Sequence, residues 1–187
     1  MGLPEIWGAT PAEIADHYPC DDLVPGPTES WFRAVDVDTS PAAVYRWLCQ
    51  LRVAPYSYDL IDNLGRRSPR TLTPGLSALA VGQRVATIFT LVDFVPGREL
   101  TLRLTDRQGL RMFGDLAITY RATASTHPVP DRSPRPTPGR LVAKLAVSAT
   151  PRSYLRRRLL AWGDLVMMRR QLHNLAHLAG SSTDLVA

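Results

Sequence analysis

The sequence predicts one α+β domain in which an antiparallel sheet packs against a long C-terminal helix, and three observations carry that prediction. Several stretches between Val85 and Val147 alternate apolar and polar side chains with period two, the pattern of strands buried on one face. Two of them are joined by Pro96-Gly97, the dipeptide favoured at the centre of a type II turn. Pro151 to about Leu178 is the longest helical stretch. At 1.5 Å per residue it runs about 40 Å, enough to cross a sheet of this size.

The elements follow in order. Residues 1–30 read as an arm with one short helix, announced by Thr10-Pro11-Ala12-Glu13: threonine at the N-cap, proline at the first helical position and glutamate three after the cap form a capping box. Pro25-Gly26-Pro27 ends the arm, and the main domain is expected over 31–180, with 181–187 as a tail. Trp31 to Asp38 reads as a strand with Trp31, Arg33, Val35 and Val37 on one face. Thr39-Ser40-Pro41 starts a helix through about Leu51, whose Val44, Trp47, Leu48 and Leu51 recur every three or four positions. A second short helix is expected from about Tyr58 to Leu64, stopped by Gly65. In the hairpin of Val85–Val95 and Glu99–Leu104, Leu100, Leu102 and Leu104 oppose Glu99, Thr101 and Arg103, which predicts a sheet wet on one side. Leu116, Ile118 and Tyr120 repeat the alternation, as do Leu141, Ala143, Leu145 and Val147. Five prolines between 125 and 139 exclude regular structure and predict a mobile hairpin loop. The last helix carries Leu155, Leu159, Trp162, Leu165, Val166, Met168, Leu172 and Leu175, a stripe broad enough for a core element, with His177 in its last turn and Gly180 just past its end.

Composition narrows the function classes. A chain of 187 residues suits one domain, and no apolar run is long enough to span a bilayer. The first residues lack the basic flank and apolar stretch of a secretion signal, so a cytoplasmic location is expected. Cys20 and Cys49 stand far apart without CxxC spacing, which suits inert buried thiols better than a disulfide framework or a metal ribbon. A net charge of +5 is spread over scattered arginines, so no nucleic-acid partner is expected. His173 and His177 have the spacing of a zinc-protease helix, but Asn174 stands where that motif places its glutamate base, and no metal is expected. There is no nucleophile elbow, P-loop or dinucleotide fingerprint, and no cofactor is expected. Arg156-Arg157-Arg158 is read as a solvated run at a helix end. The aromatics and carboxylates from Tyr56 to Asp62 either lock a helix corner through hydrogen bonds or point hydroxyls into a cavity.

Strand, two short helices, a run of antiparallel strands and one long helix: this order resembles the helix-grip fold of the START-related superfamily, also called SRPBCC proteins. That superfamily includes plant pollen allergens, lipid-transfer START domains and the polyketide cyclase/dehydrase group. The nearest likeness is to uncharacterised bacterial members, carried by Trp7-Gly8-Ala9-Thr10, Pro41, Trp47-Leu48-Cys49-Gln50 and Tyr56-Ser57-Tyr58-Asp59. Arg52-Val53-Ala54-Pro55 departs from those relatives, being shorter and without glycines. The resemblance implies a curved antiparallel sheet of six or seven strands wrapped around the long helix, with two short helices after the first strand. It also implies an apolar ligand between sheet and helix, lined by Val35, Leu102, Leu104, Ile118, Tyr120, Leu145, Leu159, Trp162 and Val166, with Trp47 and Tyr58 near the mouth. Arg33, on the inward face, would need an anionic partner and could anchor a ligand carboxylate or enolate. The residue types favour a binder or carrier of a hydrophobic small molecule. The alternatives are a cyclase/dehydratase-like enzyme, with Arg33, Tyr58 or Tyr120 polarising a carbonyl, and an interaction module whose cavity is collapsed. Oligomeric state is not legible in the sequence.

Overall fold

The computed structural model describes residues 2–59, 65–125, 137–149 and 154–181. Among these, seven strands form one sheet: β1 (Ile6–Trp7), β2 (Thr28–Val37), β3 (Arg84–Val85), β4 (Phe89–Val95), β5 (Glu99–Leu104), β6 (Leu116–Ala124) and β7 (Gly139–Ser148), in the order β1-β2-β7-β6-β5-β4-β3. The helices are α1 (Pro11–Ala15), α2 (Pro41–Leu48), α3 (Arg107–Phe113) and α4 (Tyr154–Ser181). Strands β2 and β7 pair along their full lengths, from Thr28↔Ser148 to Val37↔Gly139. The first long strand and the last are thereby neighbours within the sheet.

The sheet is mixed rather than wholly antiparallel. The arm returns alongside β2, so that Ile6 faces Phe32 and Trp7 faces Arg33 in parallel register. The main strand begins at Thr28, three residues before the expected start. The β4–β5 hairpin turns at Pro96-Gly97, where Gly97 takes a φ of 77° and the Arg98 amide donates to the Val95 carbonyl at 3.0 Å. A type II turn requires that positive φ at its third residue.

The inward side chains of β2, β5, β6 and β7 form the main core with α2 and α4. Period two places Trp31, Val35 and Val37, then Leu100, Leu102 and Leu104, then Leu116, Ile118 and Tyr120 on that side, all buried. The other face, expected to be wet, is covered by the arm over β2, β7 and β6 and stays exposed only toward β4. Tyr18, Cys20 and Val24 of the arm lie against Phe32, Ala34, Ala117, Val142 and Ala146 in a second core. The basic outward positions are matched there by three acids of the arm and by Glu99 of β5. Arg121 bonds Glu99 and Asp16, each at 2.6 Å, with its guanidinium 3.9 Å over the Tyr18 ring; Arg140 bonds Glu13 at 2.8 Å; Lys144, the chain's one lysine, bonds Asp21 at 2.7 Å. The Thr10/Glu13 capping box that starts α1 also holds Glu13 in place for Arg140.

Helix α2 is capped by the Ser40 hydroxyl, which accepts from the Ala43 amide, and it tightens into a 3-10 turn over Cys49–Arg52. Both cysteines are buried free thiols. Helix α3 has no counterpart among the expected elements. The expected helix to Leu64 and the Pro-rich loop of 125–139 lie mostly outside the described residues, as do the expected start of the last helix at Pro151 and the tail beyond Ser181. His177 and Gly180 both fall inside α4, which continues to Ser181. No helix among the described residues is long and apolar enough to cross a membrane.

Candidate functional site

A cavity of about 420 Å³ lies between the inner sheet face and α4. Its sheet wall is Trp31, Leu102, Leu116, Ile118, Tyr120, Leu145 and Val147, and its helix wall is Leu159, Leu160, Gly163, Asp164, Met167, Met168 and Gln171. Leu51, Pro55, Ser57, Phe113 and the 85–89 bend complete it. The helix residues recur at three- and four-residue intervals, which lays them along one side of α4. At the bend, Ala86 and Thr87 hold φ angles of 45° and 65°, and Tyr56 beside Pro55 holds 56°. Non-glycine residues enter this left-handed region at a cost, and such positions concentrate around binding sites.

Of the residues expected to line the site, Leu102, Ile118, Tyr120, Leu145 and Leu159 meet at this cavity. The others lie elsewhere. Val35 and Leu104 are buried in the core away from the cavity, and Trp47 is sealed against Tyr56 in an edge-to-face contact at 5.9 Å. Tyr58 is turned outward beneath the Arg170 guanidinium. Trp162 and Val166 are 44% and 50% exposed, because α4 buries a different stripe: Ala161, Leu165, Met168, Leu172, Leu175 and Ala179.

Arg33 also stands behind the cavity wall and not in it. It is fully buried, and its Nη2 donates to Asp164 Oδ2 at 2.8 Å. Its Nη1 donates to the carbonyls of Glu5 and Phe32 at 2.7 and 2.8 Å. The anionic partner that its burial requires is therefore a protein carboxylate. A ligand acid would compete with a bond already made.

The cavity has one polar pole. Asp164 keeps 20% side-chain exposure and lines the cavity, and its Oδ1 has no partner among the described residues. Burial pushes the Asp164 carboxyl up to about 6, against the opposing pull of Arg33. Burial lowers the Arg33 pKa in the same way, so desolvation outweighs mutual attraction at both ends of the pair. Two positions before Arg33 on the same strand face, Trp31 lines the cavity with its indole Nε1–H unpartnered among the described residues. Tyr120 donates its hydroxyl proton to Gln171 Oε1 at 2.7 Å, and Gln171 Nε2 donates to the Pro55 carbonyl at 2.6 Å. Burial raises the Tyr120 pKa and keeps the phenol neutral.

Asp164, Gln171 and Trp31 carry this pole, and the sequence reading assigned none of them to the site. A signal was present in Gly163-Asp164 and Gln171, small and polar residues at helical spacing within an apolar stretch. The corner at Tyr56–Asp59 is locked: the Asp59 carboxylate accepts from the Ser68 amide and hydroxyl, and Ser57 donates to the Met167 carbonyl.

No protein-family model and no curated protein matches the chain. Solved structures do. A Mesorhizobium loti protein aligns over 85% of this chain and 99% of its own with 14% identity and a TM-score of 0.51. A member of the major latex protein family from Arabidopsis thaliana aligns over 80% and 95% with 13% identity and a TM-score of 0.44. Norcoclaurine synthase from Thalictrum flavum, in complex with dopamine and hydroxybenzaldehyde, aligns over 86% and 89% with 10% identity and a TM-score of 0.41. At these identities the likeness is one of fold.

Proposed function

From the premise that this chain has the helix-grip fold of the START-related superfamily, we propose that its cavity binds or carries an apolar small molecule bearing a hydroxyl group. One observation carries the reading: an otherwise apolar cavity is lined both by Trp31, whose indole N–H is buried and unpartnered among the described residues, and by Asp164, whose one partner is Arg33, two positions along the strand from Trp31. A buried donor left unpartnered, as the Trp31 indole is, is costly until a ligand meets it. A hydroxyl both donates and accepts, so it suits both. A ligand carboxylate would set lone pairs and charge against Asp164, while an ammonium would leave the Arg33–Asp164 pair with excess positive charge in a dry site. Non-catalytic binding fits the groups available, because Arg33 is sealed and the Tyr120 proton is committed to Gln171. A second reading, proton transfer within the cavity, rests on Asp164 alone, whose raised pKa suits a general acid or base.

Titration calorimetry with 2-naphthol and 2-naphthoate, beside fluorescence with the uncharged dye Nile red, tests the proposal. Naphthol binding at pH 7.5 is expected to exceed naphthoate binding about tenfold, the scale of one hydrogen bond to a charged group. The paired replacement Arg33→Met with Asp164→Leu should erase the discrimination and keep Nile red binding. Gly163→Phe, placed at the cavity wall where an added Cβ meets nothing within 4 Å, should block all three probes. Equal binding of naphthol and naphthoate would remove the hydroxyl assignment only. Failure of every probe on the native chain would remove the binding reading itself.

A further inference from the structure

Helix α4 carries two apolar stripes, and only one of them is covered. Leu155, Leu159, Trp162 and Val166 are 68%, 64%, 44% and 50% exposed. They follow at intervals of four, three and four residues, and at about 100° per residue they fall within about 60° of one another around the helix. A single exposed leucine needs no explanation, but four large apolar side chains in one line do.

The flanks of this strip are basic on both sides. By the same helical count, Arg158 and Arg169 border one edge and Arg156 and Arg170 the other. Asp164 is the only acid in the helix, and it faces Arg33 in the interior, so the outer surface of α4 has no negative charge of its own. Arg158 is paired with Glu5. Arg169 and Arg170 have no carboxylate partner among the described residues and lie instead over the rings of Trp7 and Tyr58. Arg156 donates to the carbonyls of Arg111 and Met112, which brings the exposed Met112 side chain to the same end of the strip.

The geometry points to a docking face for an anionic lipid surface, with the leucines and Trp162 entering the headgroup boundary and the arginines meeting lipid phosphates. An interfacial helix needs this pairing of an apolar stripe with arginine-bearing flanks. A second copy of the chain is the poorer occupant, because a two-fold contact would set arginines against arginines. The strip also continues into the cavity, since Leu159 and Gly163 line its wall. An apolar molecule leaving a bilayer at this face would reach the cavity without crossing water. Docking itself does not require the cavity to be loaded.

Flotation with vesicles tests the inference, using phosphatidylcholine alone and phosphatidylcholine mixed with phosphatidylglycerol. The native chain is expected to float with the anionic vesicles at least tenfold better than with the neutral ones, and less well at high salt. Leu159→Asp, Trp162→Asp and the double charge reversal Arg169→Glu/Arg170→Glu should each lower that binding about tenfold. The positions are exposed, so circular dichroism should show unchanged melting. Equal partition to both vesicle types, or full binding by the three variants, would overturn the inference. So would a dimer in light scattering that Leu159→Asp disperses while the native chain ignores vesicles, an outcome that assigns the strip to a second copy.

Discussion

Arg33 and Asp164 are separated by 131 positions and share one bond at 2.8 Å behind the cavity wall. Breaking a buried pair from one side strands the remaining charge, which costs about 3–5 kcal/mol, whereas replacing both members with apolar groups of similar volume is often neutral. Arg33→Met and Asp164→Leu are therefore each expected to lower unfolding stability by several kcal/mol, while the double variant loses much less than their sum. Denaturant melts of the four proteins in a cycle check this, and additive losses would show that the pair is not coupled. At this scale the sequence carried half the message. The inward face of β2 made Arg33 need an anion, and that need was legible from alternation alone. Which anion supplies it depends on how α4 crosses the sheet, and no local pattern encodes that.

Gly163 sits in the middle of α4, where no neighbouring atom lies within 4 Å of an added Cβ. Its cost to the helix is thus not repaid by close packing. Gly163→Ala is expected to raise stability by up to about 1 kcal/mol, read as a higher melting temperature. The same helix shows what elements reveal and conceal. Its existence was plain from its apolar content, yet two stripes with similar spacing compete for the core. The one with the larger residues, through Trp162, stays outside. The buried one uses Ala161 and Ala179, small enough for α4 to approach its neighbours. The strands were more legible, since period two has a single solution once one face is buried. Helix α3 was not. It is seven residues long, contains Gly109, and depends on the Asp106 cap and on a contact so close that a Cβ at 109 would come 2.8 Å from Leu104 Cδ1.

For the whole molecule, the arm and the cavity titrate in opposite directions. Burial raises the Glu13 pKa, but bonds to Arg140 and to the Thr10 amide outweigh it and hold the carboxyl below its ordinary 4.5. Asp16, despite some desolvation, is lowered from 3.8 by the His17 amide and by Arg121. A carboxyl whose folded pKa is depressed contributes stability that is present above its unfolded value and is lost as pH falls through the folded one. The arm is therefore expected to loosen from the outer sheet face in acid. Asp164 behaves in the reverse sense: its folded pKa near 6 exceeds the ordinary 3.8, so the folded chain binds the proton more tightly, and stability declines as pH rises between those values. The two windows meet between the ordinary carboxyl values of 3.8 and 4.5 and leave a stability maximum there, at about pH 4, on the acid side of neutrality. Melting curves from pH 3 to 8 should show it. In the Arg33→Met/Asp164→Leu protein the decline above the maximum should vanish while the acid limb remains. In Glu13→Gln the acid limb should shrink instead. A native profile that keeps rising from pH 5 to 7 would show that the cavity carboxyl is ionised at no cost to the fold, and would leave the arm as the part whose charge sets the pH dependence.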